Sequence, residues 1–271
     1  ANSISLTALL LAAAVLIGSL LPQLSALACP FCSAVSITLA EQMSSKDVVV
    51  ACELIENLPP PEDSDDLARA RFRITDVIVG EAIVKPGMIF EAIRIGRYQD
   101  GQTFFVMGVN PPEVRWSTPM KANAEVLEYM KSLPALPERG ADRLAFFQQY
   151  FEHENRTLAM DAYDEFAVAP YEELIALEDR MDRPQLIEFI RDPDTEINRR
   201  RLYLTMLGVC GTADDADFLE ELITSDSRKE RRGLDALIAC FLNLKGDAGI
   251  PLIERSFLAN RETEYTDVMK A

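Results

Sequence analysis

The chain has 271 residues, 48% of them hydrophobic, and its 27 basic and 44 acidic side chains give a formal net charge of −17. An acidic chain of this kind repels phosphate backbones and anionic membranes, which argues against nucleic acid or a membrane surface as a partner. General solubility is the simplest reason for the charge. The length is sufficient for one large or two small hydrophobic cores.

The first segment, residues 6–28, is uncharged and apolar and ends in Ala-Leu-Ala. Small residues stand at positions −3 and −1 before Cys29, as in a secretory signal peptide. We therefore expect residues 1–28 to be cleaved and the mature protein to be extracytoplasmic, whether periplasmic, secreted or on the cell surface. An uncleaved membrane anchor is one alternative, because a span needs about 20 apolar residues. Lipid attachment to Cys29 is another.

Two thiols, Cys29 and Cys32, stand at the expected mature N-terminus, separated by proline and phenylalanine. Disulfides persist in exported proteins, and a total of five cysteines leaves at least one thiol free or paired between chains. We predict a structural disulfide that pins the N-terminus, formed within the pair or with Cys52. Cys210 and Cys240 fall in apolar helical patterns and are predicted to be small buried side chains.

The same pair also suggests catalysis. Cys-Pro-Phe-Cys followed by a helix is similar to the active-site turn of glutaredoxins, and the partial charge of a helix N-terminus lowers a thiol pKa. The alternative function is therefore a thiol–disulfide oxidoreductase with Cys29 as nucleophile and Cys32 as resolving thiol. A metal site would need more Cys or His ligands. The one histidine of the sequence, His153, is expected on an exposed helix face, so no metal or cofactor is predicted.

After a short amphipathic helix predicted over residues 33–43, the hydrophobic period changes to 2, the period of a strand. The alternation predicts four strands, over residues 47–54, 69–79, 88–93 and 103–108. Short strands separated by glycine and Pro-Gly turn signals predict a small antiparallel barrel of OB type. The proline-rich and acidic stretch 58–66 is predicted to be a loop.

The segments DVVVACEL, ARFRITDVIVG, VKPGMIF and GQTFFVMGV follow an N-terminal cysteine in that order. Over about residues 29–110 this order resembles the netrin-like, tissue-inhibitor-type OB barrel. The resemblance implies a further use of Cys29, because in tissue inhibitors the amine and carbonyl of the N-terminal cysteine chelate the zinc of a protease.

From about residue 121 the period becomes helical, and a similar motif recurs about every 33 residues, over residues 184–190, 217–223 and 251–257. Longer helices are predicted between the copies, over residues 199–209 and 231–244. Helix pairs at this period resemble a HEAT-like array, and a plain helical bundle is the alternative. Because the pattern is still running at the last residue, we expect further repeats beyond it. The whole arrangement also resembles a group of secreted proteins typical of planctomycete bacteria, which implies export and no particular activity.

Three acidic residues, Asp161, Asp164 and Glu165, fall within one predicted helix at spacings that place them on one face. Acid–base catalysis would require a pocket that shifts their pKa values. We predict instead that they form an exposed acidic face.

These patterns predict an α+β protein, in which a small antiparallel OB-like β-barrel is followed by an α-helical HEAT-like array. We expect residues 29–120 to hold the cysteine pair, the short helix and the barrel, residues 121–160 a helical connector, and residues 161–271 the repeats. The expected function is non-catalytic: binding of, or scaffolding for, a protein partner outside the cytoplasm.

Overall fold

The structure, a computed structural model, describes residues 35–59, 67–110 and 112–259. The fold is α+β, as predicted: a nearly closed antiparallel sheet is followed by helices. The strands are β1 (Val48–Asn57), β2 (Arg69–Val79), β3 (Ile89–Ile93), β4 (Thr103–Val109), β5 (Arg115–Trp116) and β6 (Met120–Lys121). The helices are α1 (Leu39–Ser44), α2 (Ala124–Ser132), α3 (Ala141–Phe147), α4 (Arg156–Val168), α5 (Tyr171–Ile175), α6 (Arg183–Arg191), α7 (Ile197–Cys210), α8 (Ala216–Thr224), α9 (Leu234–Lys245) and α10 (Ile250–Ile253). The predicted signal peptide and cysteine pair lie outside the described residues.

The sheet has the strand order β3-β2-β1-β4-β5, and β6 pairs with β4 beside β5. Three irregularities in the β1–β2 register bend these long strands, as β-bulges do in barrels. The two ends of the sheet approach each other where Phe90 of β3 stacks on Trp116 of β5, with ring centroids 4.1 Å apart. The result is an OB-like barrel that is nearly closed. β5 and β6 were not predicted, because two-residue strands are too short to show a period.

Strands β1 and β4 are buried on both faces. Val50 and Cys52 of β1 and Phe104 of β4 point into the barrel interior, whereas Val49 and Phe105 lie in a second apolar cluster that includes the helices. Two-sided burial explains why these strands are continuous apolar runs in the sequence rather than alternating ones. The second cluster continues to α10, so the outer face of β1 and β4 shares a core with the helices, separate from the barrel interior.

Strand β2 alternates, because only one of its faces is buried. Ala70, Phe72 and Ile74 are buried in the barrel. The arginines between them face solvent, where Arg71 pairs with Glu56 and Glu91. The strand predicted over residues 69–79 is confirmed, because β2 begins and ends at the same residues.

In the helical array each helix packs on helices that are close to it in the sequence. α7 packs on both α6 and α9, and α8 packs on α9. The three predicted copies of the repeated motif coincide with α6, with α8, and with α10 together with the π-helical segment Glu254–Leu258 that follows it. Buried Arg200 of α7 donates to the carbonyl oxygens of Ile190 (2.9 Å) and Arg232 (2.9 Å). Arg200 therefore connects the end of α6 to the loop before α9.

One helical run, Leu234–Leu258, is long and apolar enough to cross a membrane by length and composition. Within it, α9 packs against α7 and α8, and its side chains Leu237, Ile238 and Phe241 are buried among protein neighbours.

Candidate functional site

The predicted site residues Cys29 and Cys32 lie outside the described residues. Cys52, the third candidate for the disulfide, is fully buried in the barrel interior, and burial raises the pKa of its thiol to about 12. It is therefore a neutral thiol at physiological pH. The disulfide among these three cysteines stays a prediction.

The two remaining cysteines lie in the helical array. Cys240 is buried, as predicted, and burial raises its pKa to about 12. Cys210 stands at the last position of α7 and is only half-buried. Its pKa is also raised, mainly by burial. Neither thiol is an activated nucleophile, because activation requires a lowered pKa.

The main polar feature of the structure is a row of buried carboxylates on α4. Asp161, Asp164 and Glu165 are 5%, 5% and 4% exposed, so the predicted exposed acidic face is wrong. Their cover comes from residues distant in the sequence, which a helical period cannot reveal. Each carboxylate has its own protein donor.

Asp161 joins three elements. One of its carboxylate oxygens accepts the backbone N–H of Leu39 at the start of α1 (2.7 Å), and the other accepts the hydroxyl of Tyr129 on α2 (2.6 Å). Burial raises the pKa of Asp161 to about 6, partly opposed by these two hydrogen bonds. Burial and the charge of Asp161 raise the pKa of Tyr129, so its hydroxyl keeps its proton and remains a donor.

Asp164 fixes the residues before α1. Its Oδ1 accepts the backbone N–H of Ser36 (3.2 Å), and burial raises its pKa. We call residues 36–39 the strap, because they lie along α4 and are bonded to it at both ends. The helix predicted over 33–43 is wrong for residues 35–38, because α1 begins only at Leu39, where Thr38 and Glu41 form a capping box. The spacing T-x-x-E is a recognisable helix start in the sequence.

Glu165 forms a buried ion pair with Arg143 of α3. The guanidinium donates two hydrogen bonds to the carboxylate, of 2.9 and 2.6 Å, and the two side chains are only 14% and 4% exposed. Arg143 also lies over the ring of Phe147, 5.0 Å from its centroid. Sequence reasoning missed Arg143, since nothing local marks its partner.

A cleft of about 600 Å³ opens beside this ion pair, between α1, α3 and α4. Its charged lining comprises Glu41, Glu138, Arg139, Arg143, Glu165 and Glu173, and its apolar wall includes Val168 and Pro170. Glu41 and Glu173 are each oriented by one backbone N–H, from Thr38 (3.0 Å) and Gly140 (2.8 Å).

His153 lies in the turn before α4 rather than on an exposed helix face, so that prediction is wrong. Its side chain is 23% exposed, with Nε2 3.1 Å from Oε1 of Glu125, while Nδ1 accepts the backbone N–H of Asn155 (2.9 Å). Glu152 lies in the same turn at a positive φ of 50°, and its carboxylate accepts hydrogen bonds from Arg199 and Tyr203 of α7.

Among the described residues no group of three or more His, Cys, Asp or Glu side chains could hold a metal ion.

Comparisons of the chain with protein-family models, with curated proteins and with solved structures gave no match.

Proposed function

We propose that the chain is an extracytoplasmic, non-catalytic scaffold that binds a protein partner, with Cys29 and Cys32 joined in a structural disulfide. The observation that carries the proposal is the strap. Only four residues after Cys32 in the sequence, the backbone of Ser36 is bonded to buried Asp164. A chain fixed so close to the cysteines favours a disulfide that extends this attachment.

The shared core supports a scaffolding role. Leu39 of α1, Phe105 of β4 and Phe257 after α10 belong to one apolar cluster. A barrel and helical array that pack as one body present their surfaces in a fixed arrangement, which lowers the entropic cost of binding a partner.

The chemistry of the described polar groups also favours a non-catalytic role. Asp161 and Glu165 are occupied by structural donors, and Cys52 and Cys240 are neutral buried thiols. General acid–base or nucleophilic catalysis would need such groups aimed at a substrate.

We propose further that the barrel is of the netrin-like, tissue-inhibitor type, and that the array is HEAT-like. The barrel closure between β3 and β5 and the stacking of α7 between α6 and α9 support these assignments. The apolar segment of residues 6–28 before Cys29, with its signal-peptide pattern, supports the extracytoplasmic location.

The test is the redox state of the protein exported from a bacterial host. We expect an intact mass that begins at Cys29, with Cys29 and Cys32 resistant to alkylation until strong reduction. Their reduction potential should lie below about −300 mV, as for structural disulfides. Peptide mapping of the alkylated protein shows whether Cys52 takes part. A double variant, C29S/C32S, should lower the thermal stability.

Two outcomes contradict the proposal. A pair that glutathione reduces readily, in a protein that reduces insulin disulfides, would establish the thiol–disulfide oxidoreductase instead. A diacylglycerol mass on Cys29 would identify a lipid anchor. The matched control is C240S, since buried Cys240 is predicted to have no effect on the redox titration of the pair.

A further inference from the structure

The cleft between α1, α3 and α4 has a neutral floor and an acidic rim. At the floor, Arg143 and Glu165 neutralise each other through two hydrogen bonds. Of the remaining charged lining, three side chains are acidic, Glu41, Glu138 and Glu173, and one is basic, Arg139. The rim is therefore net negative, in a chain whose total charge is −17.

Two of the rim carboxylates are held in place before any partner arrives. The Oε2 atom of Glu41 accepts the N–H of Thr38, and Oε2 of Glu173 accepts the N–H of Gly140. A carboxylate has two oxygens and accepts up to about four hydrogen bonds, so each retains capacity for an incoming donor. Fixing a charged group in advance lowers the cost of binding its partner.

The wall beside these carboxylates is apolar. Val168, at the end of α4, is 50% exposed, and it lines the cleft together with Ala169 and Pro170. Arginine and lysine side chains combine a charged head with an aliphatic stem that packs on apolar surface. A volume of about 600 Å³ is within the range of sites that enclose small ligands, roughly 300 to 1,000 Å³.

We infer that this cleft binds an arginine- or lysine-bearing segment of the partner protein, with the cationic head at Glu41 and Glu173 and the stem against Val168. The inference deepens the proposed protein-binding role and rests on it. Arg139 is exposed on the loop before α3, and its positive charge repels a cationic ligand. We therefore expect an acidic residue beside the basic side chain of the ligand to pair with Arg139. The recognised segment is therefore a basic side chain flanked by apolar and acidic residues.

The test uses the full mature protein and a fluorescein-labelled peptide, Gly-Leu-Arg-Leu-Glu-Gly, measured by fluorescence anisotropy. A second peptide carries citrulline, which has the shape of arginine without its charge. We expect saturable binding of the arginine peptide and about tenfold weaker binding of the citrulline peptide, because hydrogen bonds to charged groups are the stronger ones. Added salt should weaken the first more than the second, because only the first has a cation beside the acidic rim.

Protein variants locate the site. Glu41→Gln keeps the capping box, because Gln serves at that position as well as Glu, and Glu173→Gln keeps an oxygen for the N–H of Gly140. Each is expected to weaken the arginine peptide about tenfold without changing the thermal midpoint. The matched control is Glu172→Gln, since Glu172 is exposed on α5 and does not line the cleft.

Equal binding of both peptides, or equal effects of the three variants, would overturn the inference. So would an absence of binding, and so would sedimentation showing that a second copy of the chain occupies the cleft. None of these results touches the redox test of the scaffold, so the two proposals fail separately.

Discussion

The barrel interior and the junction between α1, α2, α3 and α4 are both buried but are stabilised by different forces. Phe72, Phe104 and their neighbours in the barrel are apolar side chains in contact with each other. The junction instead buries three carboxylates among its apolar residues. Apolar burial is non-directional, whereas a buried carboxylate demands particular donors at particular positions. The barrel therefore supplies stability, and the junction fixes where the strap and the helices meet.

The largest expected effects come from two adjacent residues of β4 that lie on opposite sides of this comparison. Phe104→Ala leaves a cavity in the barrel interior, and Phe105→Ala leaves a cavity in the core shared with the helices. Each should lower the free energy of unfolding by about 4 kcal/mol, as large-to-small core substitutions do. Denaturant unfolding measures both.

Hydrogen exchange separates the two variants. Phe105 belongs to the same apolar cluster as Leu39, so Phe105→Ala should accelerate exchange of the Leu39 amide below the global transition. Phe104→Ala should leave that amide protected until the whole protein unfolds. Acceleration in both variants would mean that barrel and junction are not distinct.

A smaller effect tests the charges of the junction. Arg143→Met leaves buried Glu165 without its guanidinium partner, and removing one partner of a buried pair should cost about 3 kcal/mol. The chain offers a matched control in Arg180, which pairs with Asp142 at the same 2.6 Å distance but with side chains 47% and 83% exposed. Arg180→Met should cost less than about 1 kcal/mol.

The double variant completes this test. Adding Glu165→Leu to Arg143→Met removes the uncompensated charge and should recover most of the lost stability. Equal destabilisation by Arg143→Met and Arg180→Met, measured by denaturant unfolding, would show that burial does not decide the strength of these pairs.

The barrel was predicted from the sequence far better than the junction, for a physical reason. The signals of a strand are local, because short apolar runs such as residues 48–52 and 104–107 predict a strand without knowledge of its neighbours. The donors of the junction are remote: Leu39 is 122 residues from Asp161, and Arg143 is 22 residues from Glu165. A helical face rich in Asp and Glu is usually exposed, so only the tertiary structure reverses the interpretation.

The start of a helix is predictable from the sequence to an intermediate degree, less well than the barrel strands and better than the contacts of the junction. Residues 35–38 were predicted as helix because Val35 and Leu39 are spaced as on one helix face, although the capping pair Thr38 and Glu41 marks a helix that begins at Leu39. Capping chemistry was therefore a stronger boundary signal than periodicity.

The smallest of the expected effects is a pH dependence confined to the junction. Burial raises the pKa of Asp161 from its ordinary 3.8 to about 6, so between these values the folded protein binds more protons here than the unfolded chain. The contribution of Asp161 to the free energy of unfolding therefore falls as the pH rises through this window. Asp161→Asn does not titrate, and its amide oxygen still accepts the N–H of Leu39 while its NH₂ donates to Tyr129.

The variant should match the wild type near pH 4 and exceed its stability by about 2 kcal/mol at pH 7. A shift of about two pKa units corresponds to at most about 3 kcal/mol, and part of this is already expressed at pH 4, close to the ordinary pKa of 3.8. Urea unfolding at a series of pH values gives the difference directly, and the titration of Asp164, common to both proteins, largely cancels from it. A difference that stays constant with pH would mean that Asp161 is ionised at no cost, and hence that its donors on the strap and α2 fully replace water.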